Sequence, residues 1–134
     1  KFIVMKNLIF TSFSVMVLLL SGCSPDDSTS LQEKEFAQLQ ETKKGIEQLS
    51  ASGICVENSE CKVIAFGSKP CGGPWTYLAY STAIDEASFL ELVANYNAAE
   101  HVYNTKWGIV SDCMAVGPPT AVECIDGKCT PVYN

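Results

Sequence analysis

The chain has 134 residues, with seven cysteines and with 15 acidic side chains against nine lysines and no arginine. Its formal net charge of −6 excludes a nucleic-acid partner, because no basic patch is present to displace counterions and no guanidinium to read phosphate or guanine. The length suits one domain with a modest core.

Lys1 to Val4 precede a candidate initiator at Met5 and read as an upstream extension. Lys6 then supplies a short positive region, and Leu8 to Leu20 form 13 mostly apolar residues. That run is well short of the roughly 20 residues a membrane-spanning helix needs, so residues 1–22 are expected to be a signal peptide region. Its end, Leu20-Ser21-Gly22-Cys23, resembles a lipobox, which implies acylation of the Cys23 thiol and cleavage just before it. Small Ser21 and Gly22 suit a peptidase groove. The expected product, from Cys23 onward, keeps all fifteen acids but only seven lysines, a net charge of −8. Such a surface repels anionic lipid, so acyl chains on Cys23, more than one of them, would hold the protein to the membrane.

Cysteine arithmetic agrees with export. With Cys23 lipidated, Cys55, Cys61, Cys71, Cys113, Cys124 and Cys129 remain, an even set that reads as three disulfides in an oxidising compartment. A metal site is not expected: no pair has C-x2-C spacing, and His101 is the single histidine. No cofactor is implied.

Residues 23–30 are read as the lipidated cysteine and a polar tether, SPDDSTS. The pair Asp26-Asp27 resembles acidic export signals that carry some bacterial lipoproteins to the cell surface; the periplasmic face of the outer membrane is the other expected location. Residues 31–50 are rich in helix formers, with Phe36, Leu39, Ile46 and Leu49 on one face, Lys43 interrupting the stripe and Gly45 weakening it. Two readings stand for this stretch, a helix docked along one apolar edge and a stalk that lifts the domain off the membrane.

Composition changes after Ser52, and residues 53–134 are expected to form a compact, disulfide-stapled α+β domain: a small, mostly antiparallel sheet packed by one main helix. Cys61 to Phe66 and Trp75 to Ser81 read as strands, the second apolar on both faces and hence central. Between them, Gly67 to Pro74 is a loop with three glycines and two prolines. Asp85 to Tyr103 predicts a helix, with Asp85 as N-cap, Glu86 in the first turn, and Phe89, Leu92, Val93, Tyr96, Ala99 and Tyr103 as its apolar stripe. Ile109 to Cys113 predicts a short strand before the Gly117-Pro118-Pro119 turn. Ala121 to Ile125 and Lys128 to Val132, joined by Asp126-Gly127, predict a hairpin with a type I′ turn. In that register Cys124 faces Cys129 in a non-hydrogen-bonded pair. The expected bridges join neighbours: Cys55 with Cys61, Cys71 with Cys113, and Cys124 with Cys129. Cys61 with Cys129 is the main rival.

Four segments, Cys55 to Val63, Pro70 to Ser81, Ser111 to Cys113 and Glu123 to Cys129, together resemble a recurring type of small cysteine-rich bacterial lipoprotein. The resemblance implies a disulfide-stapled α+β domain and carries no activity with it.

No residue pattern predicts catalysis. His101 sits late in a helical stripe, no serine has a G-x-S-x-G setting, and Asp85 and Glu86 have a capping explanation. Glu57 and Glu60 read as solvated loop charges. Binding is the better class, because the Ser68 to Pro74 loop is stiffened by prolines and pinned at Cys71, while Gly72 and Gly73 allow close backbone approach. Lys69, Gly72, Gly73 and Trp75 are the candidate partner-binding residues; the bland alternative is a tight crossover with Trp75 filling the core. The expected function is a lipid-anchored, non-enzymatic envelope module that binds a protein or has a structural role. A protease-inhibitor-like binding protein or a small envelope hydrolase are the alternatives.

Overall fold

The structure, a computed structural model, describes residues 27–134. The expected signal region and Cys23 lie outside them. Contacts divide the chain into Lys1–Ser30 and Leu31–Asn134, and the fold below is that of the second unit.

Helix α1 spans Asp27–Ser52. It begins inside the stretch expected to be a tether, where Asp, Ser and Thr residues suit a helix N-terminus. Its apolar edge is docked rather than free. Ile46 is buried in the core, Leu39 and Leu49 pack against that core, and Phe36 meets Tyr103 with ring centroids 6.0 Å apart. A 3-10 turn at Asn58–Glu60 follows, then β1 (Cys61–Phe66) and β2 (Thr76–Ser81). These pair antiparallel, with Lys62 opposite Tyr80 and Phe66 opposite Thr76. Alternation along the pair turns Ile64, Phe66, Leu78 and Tyr80 to the hydrophobic core.

Helix α2 spans Glu86–Trp107. Asp85 caps it as expected, its carboxylate accepting from the Ser88 N–H at 3.2 Å and the Ser88 hydroxyl at 2.7 Å. The helix runs one turn past the expected end and stops at Gly108, which takes a left-handed conformation (φ 60°) and donates its N–H to the Asn104 carbonyl. Phe89, Val93 and Tyr96 carry the buried face, with Tyr80 stacked on Phe89 and Phe66 on Tyr96, both pairs at 4.8 Å. Each such fully buried side chain contributes about 1.5–3 kcal/mol. Leu92 and Ala99, expected in the stripe, lie exposed beside it.

Strands β3 (Ala121–Ile125) and β4 (Lys128–Val132) form the expected hairpin, with Cys124 opposite Cys129. Asp126 and Gly127 both have positive φ, 51° and 78°, as a type I′ turn demands. The architecture is therefore α+β with three disulfides, but β2 is not a central strand. The described residues contain two two-stranded sheets, β1-β2 and β3-β4. The apolar content of β2 is accounted for by α2 on one face and by its packing against β4.

The Ile109 to Cys113 segment is irregular, not a strand. Cys113 has φ 54°, and the Asp112 carboxylate accepts the Met114 N–H, so this backbone bonds to its own side chains instead of to a ladder.

Disulfide pairing departs from the neighbour scheme in two of three bridges. Cys71 joins Cys113 as expected, but Cys55 joins Cys124 and Cys61 joins Cys129, with Cα separations of 5.9 and 5.4 Å. Those separations fit a disulfide better than the roughly 4.5 Å of a directly opposed, non-hydrogen-bonded pair such as Cys124 and Cys129. The Cys55 N–H bonds to the Gly127 carbonyl at 3.0 Å, which sets Cys55 beside the hairpin turn and within reach of Cys124.

Candidate functional site

The loop between β1 and β2 is built from its backbone outward. Lys69 N–H donates to the Gly73 carbonyl and Gly72 N–H to the Lys69 carbonyl, both at 2.9 Å, so residues 69–73 close on themselves. Gly72 and Gly73 have φ of 93° and 81°, a region that favours glycine. Both are exposed. Pro70 lies within this turn and Pro74 follows it, and the Cys71–Cys113 bridge ties its crest to the segment after α2.

Three polar residues of α2 hold the base of the loop. The Asn97 amide accepts from Gly67 N–H at 2.7 Å and donates to the Ala65 carbonyl at 3.3 Å, replacing the strand neighbour that this edge of β1 lacks. Glu100 accepts from Ser68 N–H at 2.5 Å, and Asn104 donates to the Ser68 carbonyl at 2.7 Å. Spacings of three and four put these residues on one helical face, next to the apolar one. The sequence reading passed over them. The available signal was Asn97 and Asn104 inside a helix, where asparagine is unfavourable unless its amide has a backbone to bind.

Lys69 corrects the sequence reading most sharply. Expected among the partner-binding residues, it is 5 % exposed, and its ammonium is engaged within the domain. Nζ donates to the Met114 carbonyl at 2.6 Å and to Asp112 Oδ1 at 3.3 Å, and lies 5.1 Å from the centre of the Trp75 ring. The Asp112 carboxyl is held below its usual range, first by the Met114 N–H and then by Lys69. Lys69 thus links the loop to the 112–114 segment beside the disulfide. With Lys69 inward, the crest of the loop presents backbone and the disulfide, with no long side chain for an enzyme's specificity pocket.

Trp75 leaves the loop with one side toward Lys69 and is 37 % exposed. It also lines a cleft of about 340 Å³ together with Phe36, Leu39, Lys43, Tyr103 and Ile109. Gln40, Glu100 and Asn104 complete its wall. Volume and aromatic lining place it at the small end of ligand sites. A second groove of about 290 Å³ on the α1–α2 seam is lined by Glu35, Thr42, Val102 and Lys106 among others. Glu35 is consumed in holding that seam, accepting from Lys106 at 2.6 Å and from the Trp107 indole at 2.8 Å. Its carboxyl is lowered by Lys106 first and Trp107 second.

The titratable groups that catalysis could draw on are spread over separate elements. His101 is exposed on α2, Glu123 is exposed on β3, and Asp112 serves Lys69. Glu86 accepts from Lys62 and from the Tyr80 hydroxyl, both at 2.8 Å, which lowers its carboxyl; burial with the Glu86 contact pushes Tyr80 up to about 12. Glu60 stays partly exposed, as a loop charge, and also accepts the Val56 and Glu57 N–H groups and closes the 3-10 turn.

No protein family, curated protein or solved structure matches this chain.

Proposed function

We propose that the chain is an exported, lipid-anchored envelope protein whose disulfide-stapled domain binds another protein through the Gly67 to Trp75 loop, without catalysis. The observation that carries the reading is the bracing of that loop. One disulfide, the buried Lys69 ammonium and three α2 side chains hold a crest at which a Cβ on Gly72 or Gly73 would meet nothing within 4 Å. A crossover that only links two strands needs no such bracing, whereas a pre-formed binding loop loses little entropy on association. Val110 and Met114, large exposed apolar residues on the segment joined to the loop, add contact surface. The anchor is supported by Leu20 to Cys23 and by cysteine parity: the three bridges use six of seven cysteines and leave Cys23 over.

A photoreactive amino acid placed at Met114, exposed on the segment bridged to the loop, tests both parts in living cells. Irradiation is expected to yield a discrete crosslinked partner, and a probe at exposed Glu123 to yield none. Cys23→Ala in the same cells is expected to remove palmitate incorporation and the crosslink together. Equal labelling from both probe positions would sink the loop, and palmitate incorporation that survives Cys23→Ala would sink the anchor.

A further inference from the structure

The cleft beside the loop has a chemistry that selects its occupant. Phe36, Trp75, Tyr103 and Ile109 supply apolar and aromatic wall, and Phe36 and Trp75 are the more exposed of the rings, at 50 % and 37 %. Its one acid, Glu100, has both oxygens engaged, Oε2 by Ser68 N–H and Oε1 by the Tyr96 hydroxyl. Its one base, Lys43, makes no ion pair among the described residues, whose pairs involve Lys62, Lys69 and Lys106. Lys43 interrupts the apolar stripe of α1, a costly place for a charge with no internal partner. The Trp75 ring is already engaged by the Lys69 ammonium, which withdraws electron density and makes the ring a poorer host for a second cation. The site therefore disfavours a basic ligand twice over and favours an apolar group with an adjoining carboxylate.

We propose that this cleft receives an aromatic side chain of a partner protein whose neighbouring residue is acidic, the ring packing on Trp75 and Phe36 and the carboxylate meeting Lys43. The inference rests on the interaction reading above and names the partner's chemistry. It also gives Trp75 a purpose beyond packing, as the wall shared by loop and cleft.

The test is an NMR titration of the oxidised full-length chain in detergent micelles with three blocked dipeptides: acetyl-Phe-Asp-amide, acetyl-Phe-Lys-amide and acetyl-Ala-Asp-amide. The first is expected to bind with a Kd on the order of 1 mM, as suits so small a ligand, and to shift the Trp75 indole signal. The lysine peptide is expected to bind about threefold to fivefold more weakly, the upper part of the range for a single exposed ion pair, and the alanine peptide more weakly still. Lys43→Gln should abolish the preference for Asp over Lys while retaining Phe binding. Phe36→Ala, at a half-exposed rim position, should weaken both Phe peptides even if Trp75→Ala perturbs the fold. Equal binding of the Asp and Lys peptides to the unaltered protein, or shifts confined to residues outside the cleft, would overturn the proposal. A discrete crosslink at Met114 with a silent cleft would overturn it as well, while leaving the loop interaction intact.

Discussion

A lysine in a loop rich in glycine and proline looks like an exposed charge, yet Lys69 is among the more buried residues of this domain. The reason lies in its partners. A carbonyl, a carboxylate and an indole face surround Nζ, so the ammonium is desolvated without being orphaned. Asp112 and Met114 are both exposed, so removing the ammonium returns them to water instead of stranding them. Lys69→Ala should therefore cost about 2–3 kcal/mol, from the lost charge-assisted bond and the space left by the stem. Lys69→Met keeps the stem and should cost less than about 1 kcal/mol. Urea denaturation of the two variants separates these contributions, and wild-type stability for Lys69→Ala would show that the contacts are incidental.

Among the elements, the junction of α2 with the end of β1 decides the shape of the site. Asn97 supplies a donor and an acceptor to the free edge of β1, and Gly67 lets the chain pass under Trp75. A Cβ at Gly67 would stand 2.6 Å from Trp75 Cδ1, at a φ of 84° that side chains rarely adopt. Gly67→Ala should combine about 1–2 kcal/mol of backbone strain with about 1–3 kcal/mol of overpacking, and should displace Trp75. Asn97→Ala should cost roughly 1–2 kcal/mol for its two bonds and leave the indole in place. Tryptophan emission recorded alongside denaturation distinguishes the two, since the Gly67 variant alone should shift it. Here the polar stripe Asn97, Glu100 and Asn104 was legible only as an oddity within a good helix, because the sequence does not say which loop lies opposite. The end of the helix was also misplaced: it was expected at Tyr103, one turn short of the stop at Gly108.

At the scale of the whole molecule, two bridges join the β3-β4 hairpin to the remainder of the domain, at Cys55 and Cys61. An isolated two-stranded hairpin is marginal in water, so these links hold a unit that could not stand alone. Peptide mapping of the oxidised protein should return Cys55–Cys124, Cys61–Cys129 and Cys71–Cys113. Replacing Cys61 and Cys129 together with serine should cost roughly 2–5 kcal/mol. Recovery of a Cys124–Cys129 peptide as the main species would refute the arrangement.

Local chemistry alone determined the hairpin about Asp126-Gly127, the cap at Asp85, both strands of the first sheet and the even count of bridged cysteines. Each of these depends on residues a few positions apart, where turn geometry, capping and period-2 alternation act without help from the rest of the chain. Which cysteines pair, where Lys69 points and what α1 docks against are matters of approach between segments distant in sequence. The sulfurs of Cys55, Cys61 and Cys129 lie within 4.8 Å of one another, so several pairings suit the same spacing. Only the placement of the 55–61 segment along the hairpin selects among them. The cleft is of the same kind, for Phe36, Lys43, Trp75 and Tyr103 come from three separate segments, and packing of α1 and α2 beside the loop is what brings them together.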